Sequence, residues 1–224
     1  MNTPLAIVTV GAVSDDDIMS LLTEHIPEQY ITHLSLLGRL TSEEALEDYG
    51  ASEREETLLA RLRDGALVSV SHEKVELALQ AVIEVLEAQG YGIIMVLNNG
   101  RFSRLNAHKA LLLVPDRIVP PLVASIVEGH QVGILLLAPE QTPSQRQKWQ
   151  ALEMKPLYGP SAPPDDDAAL VRAGDMLKTR GADVLVLDCL GFHPRHRDLL
   201  QKTLGIPVLL SHMLIARLAS ELMI

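Results

Sequence analysis

Short apolar runs recur along the chain, each closed by turn residues and separated by segments of helical periodicity. Leu5–Val10 is the first such run, stopped by Gly11. A continuous apolar stretch of this length reads as a strand buried on both faces. Ser14 then offers a helix cap, with Asp15, Asp16 and Asp17 in the first turn and an apolar stripe of Ile18, Leu21 and Leu22. Acidic residues suit that place because they face the positive end of the helix dipole. The next strand is expected over 31–37. Thr41-Ser-Glu-Glu44 fits a capping box, and the charged residues 50–64 favour a helix. Asp64-Gly65 marks a turn before a short strand over 66–70. Ser71 caps a long helix to Gln89, with Val75, Leu79, Val82 and Leu86 on its apolar face and Gly90 as its stop.

Tyr91–Leu97 predicts another buried strand, ending in Asn98-Asn99-Gly100. Leu111–Val114 follows, then a helix from Pro115 to about Glu128. Gln131–Leu137 opens a second series. It continues with a helix over 143–152, a loop or edge segment rich in Pro and Gly over 156–165, and a helix over 166–180. Ala182-Asp-Val-Leu-Val-Leu-Asp-Cys-Leu-Gly191 is the most sharply bounded strand signal. A helix over 196–204, a strand over 206–210 and a final helix from Ser211 to Leu222 complete the chain.

Alternation of strand and helix makes the class α/β with mainly parallel sheets flanked by helices. A weak internal repeat supports two pseudo-symmetric halves. Val184-Leu-Val-Leu-Asp-Cys-Leu-Gly191 aligns with Ile93-Ile-Met-Val-Leu-Asn-Asn-Gly100, which sets Asn98 opposite Cys189. The halves are expected over residues 1–128 with 211–224, and over 129–210, with both strand ends facing one cleft.

Composition narrows the function classes. Hydrophobic residues make up 47% of the 224 positions and aromatics 3%, so the core is aliphatic and the chain is long enough to bury one. The net charge of −10 argues against nucleic acid or an anionic membrane as partner, although local basic groups still suit a small anionic ligand. A single cysteine excludes an internal disulfide and a cysteine-based metal site. The apolar runs are strand-sized rather than membrane-spanning, and a cytoplasmic protein is expected. The aliphatic helix faces suit either a homo-oligomer contact or the core.

Chemistry is expected at the carboxyl ends of the strands, where α/β sheets bind ligands. Cys189 stands at such an end, with His193, Arg195, His196 and Arg197 close behind. A thiol acts as base or nucleophile when a cation or a helix N-terminus stabilises it, yet a strand-end cysteine is as often core. His193 is either the group that tunes Cys189 or a satisfied turn histidine. Arg195 and Arg197 read as solvated surface charges. Asn98, Asn99 and Gly100 suit carboxylate oxygens, and equally suit a plain turn. Thr9 and Gly11 close the first strand in the same manner, and Leu190 and Gly191 follow the cysteine. Arg117 either anchors an anion or pairs with Asp116. Phosphate-loop, dinucleotide, His-Glu-x-x-His and Gly-x-Ser-x-Gly patterns are absent, which disfavours nucleotide and zinc chemistry; no metal site is expected.

The sequence resembles the AroM family from Leu-Ala-Ile-Val-Thr-Val-Gly11 to the C-terminal Pro207-Val-Leu-Leu-Ser211 and Leu214-Ile-Ala-Arg-Leu-Ala219. The most specific portions are Val186-Leu-Asp-Cys-Leu-Gly-Phe-His-Pro-Arg-His-Arg-Asp-Leu-Leu200 and Val123-Ala-Ser-Ile-Val-Glu-Gly-His-Gln-Val-Gly133. The family name implies a link to aromatic amino-acid and shikimate metabolism rather than a reaction. More distantly, the plan is similar to the aspartate/glutamate/hydantoin racemase superfamily. That resemblance implies two α/β halves, no cofactor, and one cysteine from each half moving a proton at a carbon next to a carboxylate. Cys189 matches the second-half cysteine. Asn98 replaces the first-half one, and Cys189-Leu-Gly-Phe-His-Pro194 departs from the Cys-Thr-His pattern. What the resemblance implies is therefore lyase or isomerase chemistry with one catalytic Cys189 and with His193 beside it. Thr9, Gly11, Asn98, Asn99, Gly100, Arg117, Leu190 and Gly191 would hold the substrate. The alternative is a non-catalytic carboxylate-binding or regulatory protein.

Overall fold

Leu5–Thr9 forms β1, and all five of its residues are buried. It pairs in parallel with β2 (Ile31–Ser35) on one side and with β5 (Ile93–Leu97) on the other. Strand β5 is also buried throughout, which is why both segments read as unbroken apolar runs. Strand β6 (Leu111–Leu113) closes a four-stranded parallel sheet in the order β2-β1-β5-β6. The computed structural model describes residues 4–13, 18, 19, 22, 26–98, 101–137, 142–160, 162, 163, 165–189 and 191–223. The expected cap and first turn at Ser14–Asp17, and Leu21 of the same stripe, lie outside them; Ile18 and Leu22 are buried.

Residues 50–64 are not helical. Thr57–Arg61 forms β3, which pairs antiparallel with β4 (Leu67–Ser71). Helix-favouring charges at 53–56 are overridden by the pairing of Leu58 with Val70 and Ala60 with Val68. Leu59 and Leu67 point to solvent. Asp64 and Gly65 make the turn: Gly65 has φ 87°, and Asp64 Oδ1 accepts from the Ala66 N–H at 2.9 Å. Helix α1 (Ser42–Tyr49) begins with the expected capping box, Thr41 and Glu44 satisfying each other's backbone N–H groups. Helix α2 (His72–Ala88) is capped by Ser71 and buries Val75, Glu76, Leu79, Ile83 and Leu86. Ile83, rather than Val82, completes that face, because Val82 is only half-buried.

The second series repeats the first. Strands β7 (Val132–Leu135), β8 (Leu157–Tyr158), β9 (Val184–Leu187) and β10 (Val208–Leu210) form a parallel sheet in the order β10-β9-β7-β8. Numbered by appearance within each sheet, both sheets run second-first-third-fourth. The strands matched by the internal repeat, β5 and β9, are the third strand of each. Helices α3 (Pro115–Ile126), α4 (Thr142–Lys148), α5 (Asp167–Thr179), α6 (Pro194–Leu204) and α7 (Ser211–Leu222) connect and flank these strands. Helix α4 stops at Lys148, short of the expected Leu152. Helix α6 starts two residues earlier than expected, since Pro194 fits the first helical position without losing a hydrogen bond.

Contacts divide the chain into Met1–Val114 with Leu218–Ile224, and Pro115–Arg217. Relative to the sequence-based limits at 128 and 211, helix α3 groups with the second unit. Within that unit Asp116 of α3 forms an ion pair with Lys148 of α4.

Gly11 is required by close approach. A Cβ there would lie 2.7 Å from the Arg61 carbonyl oxygen and 2.9 Å from its nitrogen, and both belong to the backbone of β3. Gly11→Ala should therefore displace the β3–β4 hairpin at a cost of roughly 1–3 kcal/mol, read as a lower denaturant midpoint with unchanged secondary-structure content.

Candidate functional site

In each sheet the chain turns to opposite sides of the first strand, so a switch point lies between the first and third strands. Ligands of open α/β sheets bind outside the carboxyl ends at that place. In the first unit the point lies between β1 and β5. Thr9 is buried; its hydroxyl donates to the Gly11 carbonyl at 3.0 Å and lies 3.0 Å from His33 Nε2. The Ser35 hydroxyl donates to the same carbonyl at 2.8 Å. Asn98 follows β5 directly, and its Nδ2 is buried with no hydrogen-bond partner among the described residues. Asn99 and Gly100 lie outside the described residues.

The segment after them is fixed by α2. Glu76 accepts from the Arg104 N–H and from its Nε, each at 2.8 Å. Burial pushes the Glu76 carboxyl up, yet these Arg104 contacts hold it below its ordinary value. Phe102 is buried and stacks on His72 with ring centroids 4.9 Å apart. Glu87 accepts three consecutive backbone N–H groups, of His108, Lys109 and Ala110. Arg104 thus serves the fold.

The second unit's point lies between β7 and β9, and its chemistry is richer. Asp188 and Cys189 leave the end of β9, both at most 2% exposed. Phe192 N–H donates to the Cys189 carbonyl at 3.1 Å, which forms the turn into α6. Lys148 Nζ donates to Asp188 Oδ1 at 3.0 Å and lies 2.9 Å from Oδ2. Asp116 Oδ1, from the first turn of α3, is an ion-pair contact at 2.9 Å to the same ammonium. Trp149 Nε1 donates to Asp188 Oδ2 at 3.0 Å and to Gln145 Oε1 at 2.9 Å. Gln145 Nε2 donates in turn to the Asp188 carbonyl at 3.4 Å. Positions 145, 148 and 149 keep helical spacing, so α4 and the residue after it turn one face to a single strand end.

Burial alone would drive the Lys148 ammonium toward neutrality, but the Asp188 and Asp116 carboxylates overcome it and hold its pKa above the ordinary value. Asp116 and Asp188 thus share one buried ammonium. Around it, burial pushes the Tyr158 phenol up to about 12, Arg146 opposing and Asp188 adding. Arg146 lies 5.8 Å from that ring's centroid. Burial also pushes the His212 imidazole down to about 4, against Asp188 and with Lys148 and His193.

His193 is the residue before α6, half-buried, and its N–H donates to His196 Nδ1 at 2.8 Å. His196 is fully buried against Phe192, with ring centroids 5.9 Å apart. Gly191 is half-buried and Leu190 lies outside the described residues. Arg195 pairs with Asp167 and Arg197 with Asp198, in exposed ion pairs worth little. Arg117 is exposed. Sequence reasoning placed Asp188 and Cys189 at a strand end but missed Lys148, Gln145, Tyr158, Ser211 and His212. The available signal was the chain's one tryptophan, next to a lysine and four residues after a glutamine. No helix of the described residues is long and apolar enough to cross a membrane.

A family model described as AroM protein matches residues 5–223. No curated protein matches the chain. Among solved structures, an arylmalonate decarboxylase is similar with a TM-score of 0.63 at 13% identity, over 97% of this chain and 91% of that one. An aspartate racemase homologue from Pyrococcus horikoshii has a TM-score of 0.57 at 11% identity, over 98% of both chains. A glutamate racemase isoform from Bacillus anthracis has a TM-score of 0.57 at 13% identity, over 98% of this chain and 80% of that one. The fold is thus the racemase-like α/β fold.

Lys148→Met leaves two buried carboxylates without their cation and should cost about 3–5 kcal/mol in urea unfolding. Asp116→Asn in that background should recover part of the loss. His212 has a lowered folded pKa, so its stabilising effect is complete above its ordinary value of 6.5 and is lost as pH falls toward 4. The loss is about 3 kcal/mol, and His212→Phe should flatten unfolding free energy over that window.

Proposed function

The chain belongs to the AroM family, and from that premise we propose cofactor-independent lyase or isomerase chemistry on a small carboxylate, with Cys189 as the single acid/base. The observation that carries this reading is the equivalence of the two third strands. Counted from the first residue of each strand, Cys189 and Asn98 are both sixth, with Asp188 standing between β9 and Cys189, and an amide cannot exchange a proton as a thiol does. Proton transfer by one group to one face of a carbanion supports decarboxylation or isomerisation rather than two-base racemisation. In a decarboxylation the bond between the α-carbon and the departing carboxylate breaks, and carbon dioxide leaves. The electron pair stays on carbon, beside the remaining carboxylate. The Cys189 S–H protonates that carbon, and water restores the thiol. His193 tunes the thiol in this reading. Thr9, Gly11, Asn98, Asn99, Gly100, Arg117, Leu190 and Gly191 take the substrate-holding roles. The family's association points to acids of aromatic amino-acid and shikimate metabolism as the first substrates to try.

A second reading has its own support. Asn98 in place of an acid/base, with its Nδ2 buried and unpartnered among the described residues, suits a carboxylate-binding protein without turnover.

One experiment separates the two. Native protein is alkylated at Cys189 across pH, with and without a panel of small carboxylates that includes arylmalonates, aspartate, glutamate and shikimate-pathway acids. Any protecting acid is then incubated in heavy water. Protection together with deuterium at the α-carbon supports the enzyme, and Cys189→Ser should lower that exchange by at least about 10²-fold. Protection and a raised Tm without exchange support the binder. Alkylation only in denaturant, with no acid protecting, overturns both.

A further inference from the structure

The strand next to β9 ends in two polar residues that neither reading uses. Leu210 of β10 is in register with Leu187 of β9, so Ser211 and His212 leave their strand beside Asp188 and Cys189. Ser211 is 2% exposed and His212 7%. Ser211 Oγ and His212 Nδ1 have no hydrogen-bond partner among the described residues. Buried polar atoms are nearly always satisfied, so two adjacent unsatisfied ones point to a molecule that binds there. They sit on the first turn of α7, twelve residues long, whose first backbone N–H groups also lack helical partners.

The charges around the pair select the chemistry of that molecule. The charged groups that act on His212 are Asp188, Lys148 and His193. Of these, the Asp188 carboxylate acts on His212 more strongly than the Lys148 ammonium and so opposes an anion. The positive end of the α7 dipole opposes a cation. An uncharged group that both donates and accepts matches a serine hydroxyl and a neutral imidazole.

We propose that Ser211 and His212 form a neutral polar subsite that binds a hydroxyl group of the ligand, making the ligand class a hydroxylated carboxylic acid. This rests on the carboxylate reading above and adds the part of the molecule that the subsite recognises. A site built to bond a hydroxyl discriminates strongly against the analogue that lacks it, because its own polar groups are then left unpaired.

The test uses matched acids that differ in hydroxylation, measured by titration calorimetry on the full chain: malate against succinate, mandelate against phenylacetate, and quinate against cyclohexanecarboxylate. In at least one pair the hydroxy acid should bind at least about tenfold more tightly. Ser211→Ala and His212→Phe should each bring that ratio to about one while the bare acid binds as before. Ser211→Ala without ligand should keep or raise the Tm, since it removes a buried hydroxyl with no hydrogen-bond partner among the described residues. Equal affinity within every pair overturns the subsite and leaves the carboxylate reading standing. A ratio that survives both substitutions, or a Ser211→Ala variant that melts several degrees lower, also overturns the subsite alone. Binding of no acid overturns both.

Discussion

A buried ammonium between two buried carboxylates governs the second half of this protein. Lys148 lies 2.9 Å from Asp116 and 2.9 Å from Asp188, with all three side chains at most 8% exposed. Taking such charges from water is costly, and their attraction repays the cost only with close geometry and further hydrogen bonds. Trp149 and Gln145 supply those bonds. The arrangement is therefore intolerant of displacement. It ties α3 and α4 to the end of β9, the strand that delivers Cys189. A hydrophobic contact would supply burial with less directional control, whereas this network specifies where one strand end sits.

The first unit secures its corresponding strand end by other means. Loop residues after β5 are held by Glu76 on Arg104 and by Phe102 packed on His72. The turn after β1 is closed by two hydroxyls on the Gly11 carbonyl and by the backbone of β3 against Gly11 itself. Both units share one strand order and place their third strand beside the first. They differ in what that strand presents: an amide in one, a carboxylate and a thiol in the other. Equal topology with unequal end groups is consistent with the proposed single-base reaction.

The polar atoms at these ends fall into two kinds. Those of Asp188, Lys148, Gln145 and Trp149 are committed to one another and define position. Those of Asn98, Ser211 and His212 are buried with bonding capacity still open among the described residues. In the proposed site the committed groups give support and the open ones recognition.

Local sequence determined a good deal. Strands buried on both faces announce themselves as unbroken apolar runs, and β1, β5, β7 and β9 lie where those runs are. The Thr41–Glu44 capping box, the Ser71 cap and Gly90 depend on near neighbours, and they too were legible. So was the internal repeat, because two third strands in equal surroundings carry similar residues. Only the tertiary structure decided the rest. Residues 57–61 became a strand because pairing with 67–71 outweighs a weak helical preference, and such pairing is invisible in a local window. Asp116, Lys148 and Asp188 are dozens of positions apart, and nothing local marks Asp116 or Lys148 as a partner of the strand-end Asp188. Folding brings them together, and burial then turns that meeting into a constraint.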